Sequence, residues 1–142
     1  MQITWQGWAL LSALFAALTA VFAKIGVDDL DPNYATLVRT CVILVIVAGI
    51  WVAGGAPAVN PFQSARTIGA LVLSGAATGL SWLCYFRALK LGEASRVAPL
   101  DKLSVVFVAL FAALFLGERL DPRGWAGVAL IAAGAVLLAL RR

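Results

Sequence analysis

Histidine is missing from this chain of 142 residues, methionine appears once, and there are only seven acids. Without histidine no Ser–His or Cys–His pair can form. No glycine-rich phosphate loop follows a strand pattern, and no acid pair suited to hydrolysis lies in an apolar run. An enzyme is therefore not expected, nor a cofactor or a metal site. Cys41 and Cys84 both lie inside apolar runs, as small hydrophobes without metal or disulfide spacing. Charge is scarce as well: 13% of residues, against about a quarter in a soluble domain. A net charge of +4, thinly scattered, does not suggest nucleic acid as a partner.

What is present is apolar. Hydrophobic residues make up 63% of the chain, with five Trp and thirteen Gly, and the mean hydropathy is +0.97. Trp marks membrane interfaces and Gly lets helices approach, so the composition is that of a polytopic membrane protein. The run from Trp5 to Ala23 resembles a signal peptide only superficially. It lacks a basic start and is too long, so it is expected to stay as a helix.

Five segments approach the ~20 residues that span hydrocarbon. The expected helices are 5–25, 32–53, 67–89, 99–116 and 122–140. They belong to one all-α domain covering 1–142, because a backbone in lipid must satisfy its own hydrogen bonds. Asp31-Pro32 and Asp121-Pro122 read as cap-plus-proline starts. The second helix is expected to end before Gly54-Gly55-Ala56-Pro57.

Five spans put the termini on opposite faces. One face receives Arg66, Arg119 and Arg123; the other receives Lys24, Arg39, Arg87, Lys90, Arg96, Arg141 and Arg142. The positive-inside rule then places the N-terminus outside and the C-terminus in the cytoplasm of an inner-membrane protein. Trp5, Trp8, Trp51 and Trp125 fall at the expected outer ends, whereas Trp82 lies within the third helix. Helix contacts are expected at small residues: Ala13, Ala16, Ala17 and Ala20, then Gly75 and Gly79, then Gly127 and Gly134. For Gly127 and Gly134 the pattern leaves open whether the contact is within the chain or with a partner chain.

Ionisable groups at membrane depth mark pathways by default. With Pro99 as first helical residue, Asp101 sits at the third position, where N-terminal capping and a transport role both stand. Lys102 opposes the dipole there, so it either neutralises Asp101 or faces a cavity. Arg39 lies seven residues past Pro32, about 10 Å into its helix, and either snorkels or faces a cavity. Lys24 ends the first helix, where snorkelling and dipole contact are the simplest reading. Arg87, Lys90, Glu93 and Arg96 read as an interfacial charge ladder. Trp82, Tyr85 and Phe86 share the depth of Lys24, Arg39, Asp101 and Lys102, as packing residues or as an aromatic wall.

In this order the residues resemble the EamA-type domain of the drug/metabolite transporter superfamily, especially its single-domain, five-helix members. Lys24, Leu37-Val38-Arg39 and Tyr85-Phe86-Arg87-Ala88-Leu89 carry the likeness. So do Ala98-Pro99-Leu100-Asp101-Lys102-Leu103-Ser104, Leu116-Gly117-Glu118-Arg119-Leu120, Gly127 and Gly134. The resemblance implies half of a ten-helix carrier built from inverted repeats, completed by a second copy or a paralogue. The small multidrug resistance relatives couple protons through a first-helix glutamate. Here the first helix has no acid, and Asp101 is the only substitute.

The expected function is inner-membrane transport of a small metabolite or drug-like compound by alternating access, with anions among the candidate substrates. The expected binding residues are Arg39, Lys102, Asp101, Trp82, Lys24 and Tyr85, with Gly127 and Gly134 at a dimer interface. Expected partners are the substrate, the lipid bilayer and the second copy or paralogue. A non-transporting assembly subunit and a component of a lipid-linked sugar flippase are the competing readings.

Overall fold

The computed structural model describes residues 4–55 and 64–140. The Ala56-Pro57 part of the expected turn, and Arg141 and Arg142, lie outside the described residues. Among these residues six α-helices follow one another: α1 (Trp5–Asp28), α2 (Pro32–Ala53), α3 (Ala65–Leu91), α4 (Ala94–Asp101), α5 (Ser104–Phe111) and α6 (Pro122–Leu140). A π-helical turn, Ala112–Leu116, extends α5. Among the described residues there is no strand. Five segments are long and apolar enough to cross a membrane, because α4, α5 and the π turn together form one, Ala94–Leu116. The protein is a multi-pass, all-α membrane protein.

The proline starts of α2 and α6 follow from local chemistry. The Asp31 carboxylate accepts from the N–H groups of Asn33 (2.9 Å) and Tyr34 (3.2 Å). Asp121 accepts from the Gly124 N–H at 2.8 Å. Each satisfies donors that the first helical turn leaves unpaired, and proline has no N–H to satisfy.

The fourth span departs from expectation. It starts at Ala94, five residues before Pro99, with Glu93 in the cap position but making no side-chain cap bond. Pro99 therefore lies inside α4. Its missing N–H leaves the Ser95 carbonyl without its usual donor and weakens the ladder there. Further on the bonding tightens to three-residue steps: Lys102 to Pro99, Leu103 to Leu100, Val105 to Lys102 and Val106 to Leu103, at 2.9–3.0 Å. The span is thus a broken helix. It ends on Gly117, whose backbone is left-handed (φ 70°), a conformation glycine adopts without steric cost.

The chain forms two compact units, Met1–Phe22 with Leu91–Arg142, and Ala23–Lys90. In the first, α6 packs closely against α4 and α5. Ala109, Ala112 and Ala135 are buried in this unit, and such small side chains permit close backbone approach in lipid. Arg96, at the start of α4, donates from Nε (3.2 Å) and from its terminal nitrogen (2.9 Å) to the Ala139 carbonyl at the end of α6.

Among the described residues, the second unit has no comparably close backbone approach between its helices. Its tight region is one end, where Val27, Ala35, Thr36, Phe86 and Leu89 are buried. Two lysines tie that end together. Lys24 donates to the Leu89 carbonyl at 2.9 Å, and Lys90 to the carbonyls of Asp28 (2.6 Å) and Leu30 (3.3 Å). The ends of α1 and α3 thus sit side by side, each supplying a cation to carbonyls near the end of the other. Parallel helix ends carry like partial charge, and these ammonium groups offset it.

The large apolar side chains elsewhere are mostly exposed, as in a protein whose solvent is hydrocarbon. Trp5, Trp8, Trp51 and Trp125 are among them, in keeping with interfacial belts. The expected glycine contacts are not made among the described residues. A Cβ added at Gly75, Gly79, Gly127 or Gly134 would meet nothing within 4 Å.

Candidate functional site

Arg39 is the only charged residue of α2. Its guanidinium carbon lies 4.0 Å from the ring centroid of Trp82 and 5.6 Å from that of Phe86, both on α3. Trp82 is eight residues before Lys90, and Arg39 seven residues after Pro32. At 1.5 Å per residue both lie about 10–12 Å from that end of their helices. Arg39 therefore reaches sideways to an aromatic ridge at its own depth and does not snorkel to the interface. The ring quadrupole attracts the cation, by about 2 kcal/mol or more where water is excluded.

The ridge follows from helical spacing, since Trp82 and Phe86 are four residues apart and so share a face. Phe86 is 3% exposed and acts as packing. Trp82 and Tyr85 are half-buried. On the α2 side, the hydroxyls of Thr36 and Thr40 bond back to the carbonyls of Pro32 (2.7 Å) and Thr36 (2.8 Å). That keeps both polar groups satisfied within the helix.

Arg39 has no carboxylate partner among the described residues. Among the described residues the ion pairs are Lys24–Asp28, at 2.9 Å, and Lys102–Asp101, at 3.6 Å. Lys24 is engaged twice, by Asp28 and by the Leu89 carbonyl. Lys90 and Arg96, members of the expected interfacial charge ladder, hold helix ends, while Arg87 donates to Asn33 Oδ1 at 3.3 Å. Their spacing is visible in the sequence; the carbonyls they meet are not.

In the other unit, Asp101 and Lys102 lie at the break of the fourth span. Asp101 is the last residue of α4 and Lys102 its C-cap. This corrects the expectation that Asp101 occupies the third position of a helix begun by Pro99. It also reverses the argument about Lys102, because a cation at a helix C-terminus is favoured by the dipole. Asp101 is the residue left unexplained by α4. Both side chains are well exposed, at 40% for Asp101 and 56% for Lys102. They lie about 10 Å into the span that starts at Ala94.

A cation in an aromatic setting on one broad-gapped helix pair, and a charge pair on a broken helix, are features suited to solute binding in a membrane. Comparison with known proteins gives the class. The model of the EamA-like transporter family matches residues 3–140. The chain belongs to this family. A relative from Sinorhizobium sp, named "Uncharacterized transporter in cobO 3'region", is 61% identical over 140 residues, covering 99% of each chain. No solved structure matches the chain. Family membership and this relative identify the protein as a membrane transporter of EamA type.

Proposed function

We propose that this protein is a subunit of an inner-membrane carrier that moves a small metabolite or drug-like compound by alternating access. Arg39 contacts the substrate, with Trp82 and Tyr85 as the wall beside it. Lys24 positions the end of α3 through the Leu89 carbonyl. The Asp101–Lys102 pair acts at the break of the fourth span, where it contacts substrate or exchanges a proton. The N-terminus lies outside and the C-terminus in the cytoplasm. A second copy or a paralogue completes the carrier against the Gly127 and Gly134 face.

One observation carries the reading. Arg39 is a membrane-depth cation held on an aromatic ring with no carboxylate partner among the described residues. Such a charge is costly in lipid and is retained where it does work. The broken fourth span supports a carrier as well, since discontinuous helices supply binding and hinge points in transporters. The open space at Gly127 and Gly134 leaves room for a partner helix. The test is solute flux into vesicles reconstituted with purified protein. Saturable uptake that falls in both Arg39→Ala and Lys102→Ala is expected; uptake unchanged in both would contradict the assignment of these cations.

A further inference from the structure

We infer that the group Arg39 takes is a single carboxylate, bound through the planar fork of a guanidinium whose central carbon sits over the Trp82 ring. The inference rests on the reading of Arg39 as the substrate contact and adds the ligand's charge and shape. Two observations carry it: a charge count and a geometry.

The charge count concerns the unit Ala23–Lys90 at membrane depth. Lys24 is balanced by Asp28 at 2.9 Å. Arg66 and Lys90 stand within the first and last turns of α3, at the membrane edges, and Arg87 donates to Asn33 at the start of α2. Arg39 remains, one positive charge in α2 with no carboxylate within 4 Å among the described residues. The other unit adds nothing to this sum, because Asp101 and Lys102 cancel each other. An occupied site costs least in hydrocarbon when its net charge is zero. A monoanion achieves that. A neutral ligand leaves one positive charge, and a dianion leaves one negative.

The geometry selects among monoanions. A guanidinium donates only in its own plane. With its central carbon 4.0 Å from the Trp82 ring centroid, the ring takes up one side of the guanidinium, and an anion must come to an edge that is left open. A carboxylate meets that edge with two parallel hydrogen bonds, in the planar fork that lysine cannot reproduce. Trp82 is then a specificity-determining residue. It holds the guanidinium in place and does not itself bind the anion.

The test is calorimetric titration of the purified full-length protein in a non-ionic detergent free of added lipid. The probes are benzoate, its neutral counterpart benzamide, the dicarboxylate succinate, and inorganic phosphate. Benzoate is expected to bind at least tenfold more tightly than the other three. Arg39→Lys keeps the charge and loses the fork, and should weaken benzoate roughly tenfold to hundredfold. Trp82→Phe should keep the preference for benzoate over phosphate, whereas Trp82→Leu should narrow it. A purely structural Trp82 would leave that ratio unchanged. Benzamide, succinate or phosphate binding as tightly as benzoate would overturn the proposal. So would unchanged benzoate binding in Arg39→Lys, or none in the wild type. Arg39-dependent flux of a cationic or neutral solute would then leave the carrier reading standing without this one.

Discussion

The two units of this protein hold their helices together by different means. In the unit containing α4, α5 and α6, backbones approach closely, with Ala109, Ala112 and Ala135 buried. In the unit containing α2 and α3 they do not, and long side chains bridge the space. Arg39 lies on Trp82, and Lys24 and Lys90 hold the helix ends. Close packing of small residues is stiff, because every ångström of separation forfeits dispersion contacts. A bridge of flexible side chains can be broken and remade with less loss. The comparison teaches where this transporter is expected to give: between α2 and α3.

The largest effect expected from breaking the comparison is at the bridge itself. Arg39→Gln removes the cation and should lower solute uptake in reconstituted vesicles by roughly tenfold to hundredfold. Next comes the close-packed side. Ala135→Leu, at a position 5% exposed, overpacks α6 and should cost about 1–3 kcal/mol in a denaturation assay. Gly134→Ala is its control, since nothing lies within 4 Å of the new methyl group. A stability loss there as large as at Ala135 would reveal a partner helix on that face.

Smaller effects belong to the tied helix ends. Lys24→Met removes both an ion pair and a carbonyl donor, and should destabilise by about 1 kcal/mol, read as a lower melting temperature. Lys90→Met is more exposed and should cost less. The smallest change is local: Gly117→Ala places a side chain on left-handed backbone, at about 1 kcal/mol or below. Its effect should be confined to stability, leaving initial uptake rates of the folded protein intact.

Much of the fold can be read from the sequence, because lipid imposes a simple rule on span length and backbone bonding. Asp31 and Asp121 announce their helices through caps whose chemistry is local. The fourth span is the exception. Pro99 beside Asp101 imitates a helix start, while the real start at Glu93 makes no side-chain cap bond and leaves no comparable signal. That misplacement had a consequence for the site, since it gave Asp101 a capping role it does not have.

The candidate site was legible in residue type and not in pairing. Arg39, Trp82 and Phe86 stand out as an intramembrane cation and an aromatic face, yet only the fold brings α2 against α3 at matched depth. Lys90 and Arg96 were hidden for the same reason, as their partners are backbone carbonyls of distant helices. These bonds also bear on the charge bias. Helix C-termini attract cations, so part of the seven-to-three excess caps α1, α3 and α6 in addition to any role in orientation.

The most direct test of the difference between the units is a pair of distances measured by spin labels in reconstituted protein. Cys41 and Cys84 are both free and exposed, and are first replaced by serine. One label pair spans the bridged helices at Leu44 and Leu73; the other spans the packed helices at Leu100 and Leu137, all four residues being exposed. The account predicts that Arg39→Gln broadens or shifts the Leu44–Leu73 distance and leaves the Leu100–Leu137 distance unchanged. Equal changes in both pairs, or no change in the first, would contradict it.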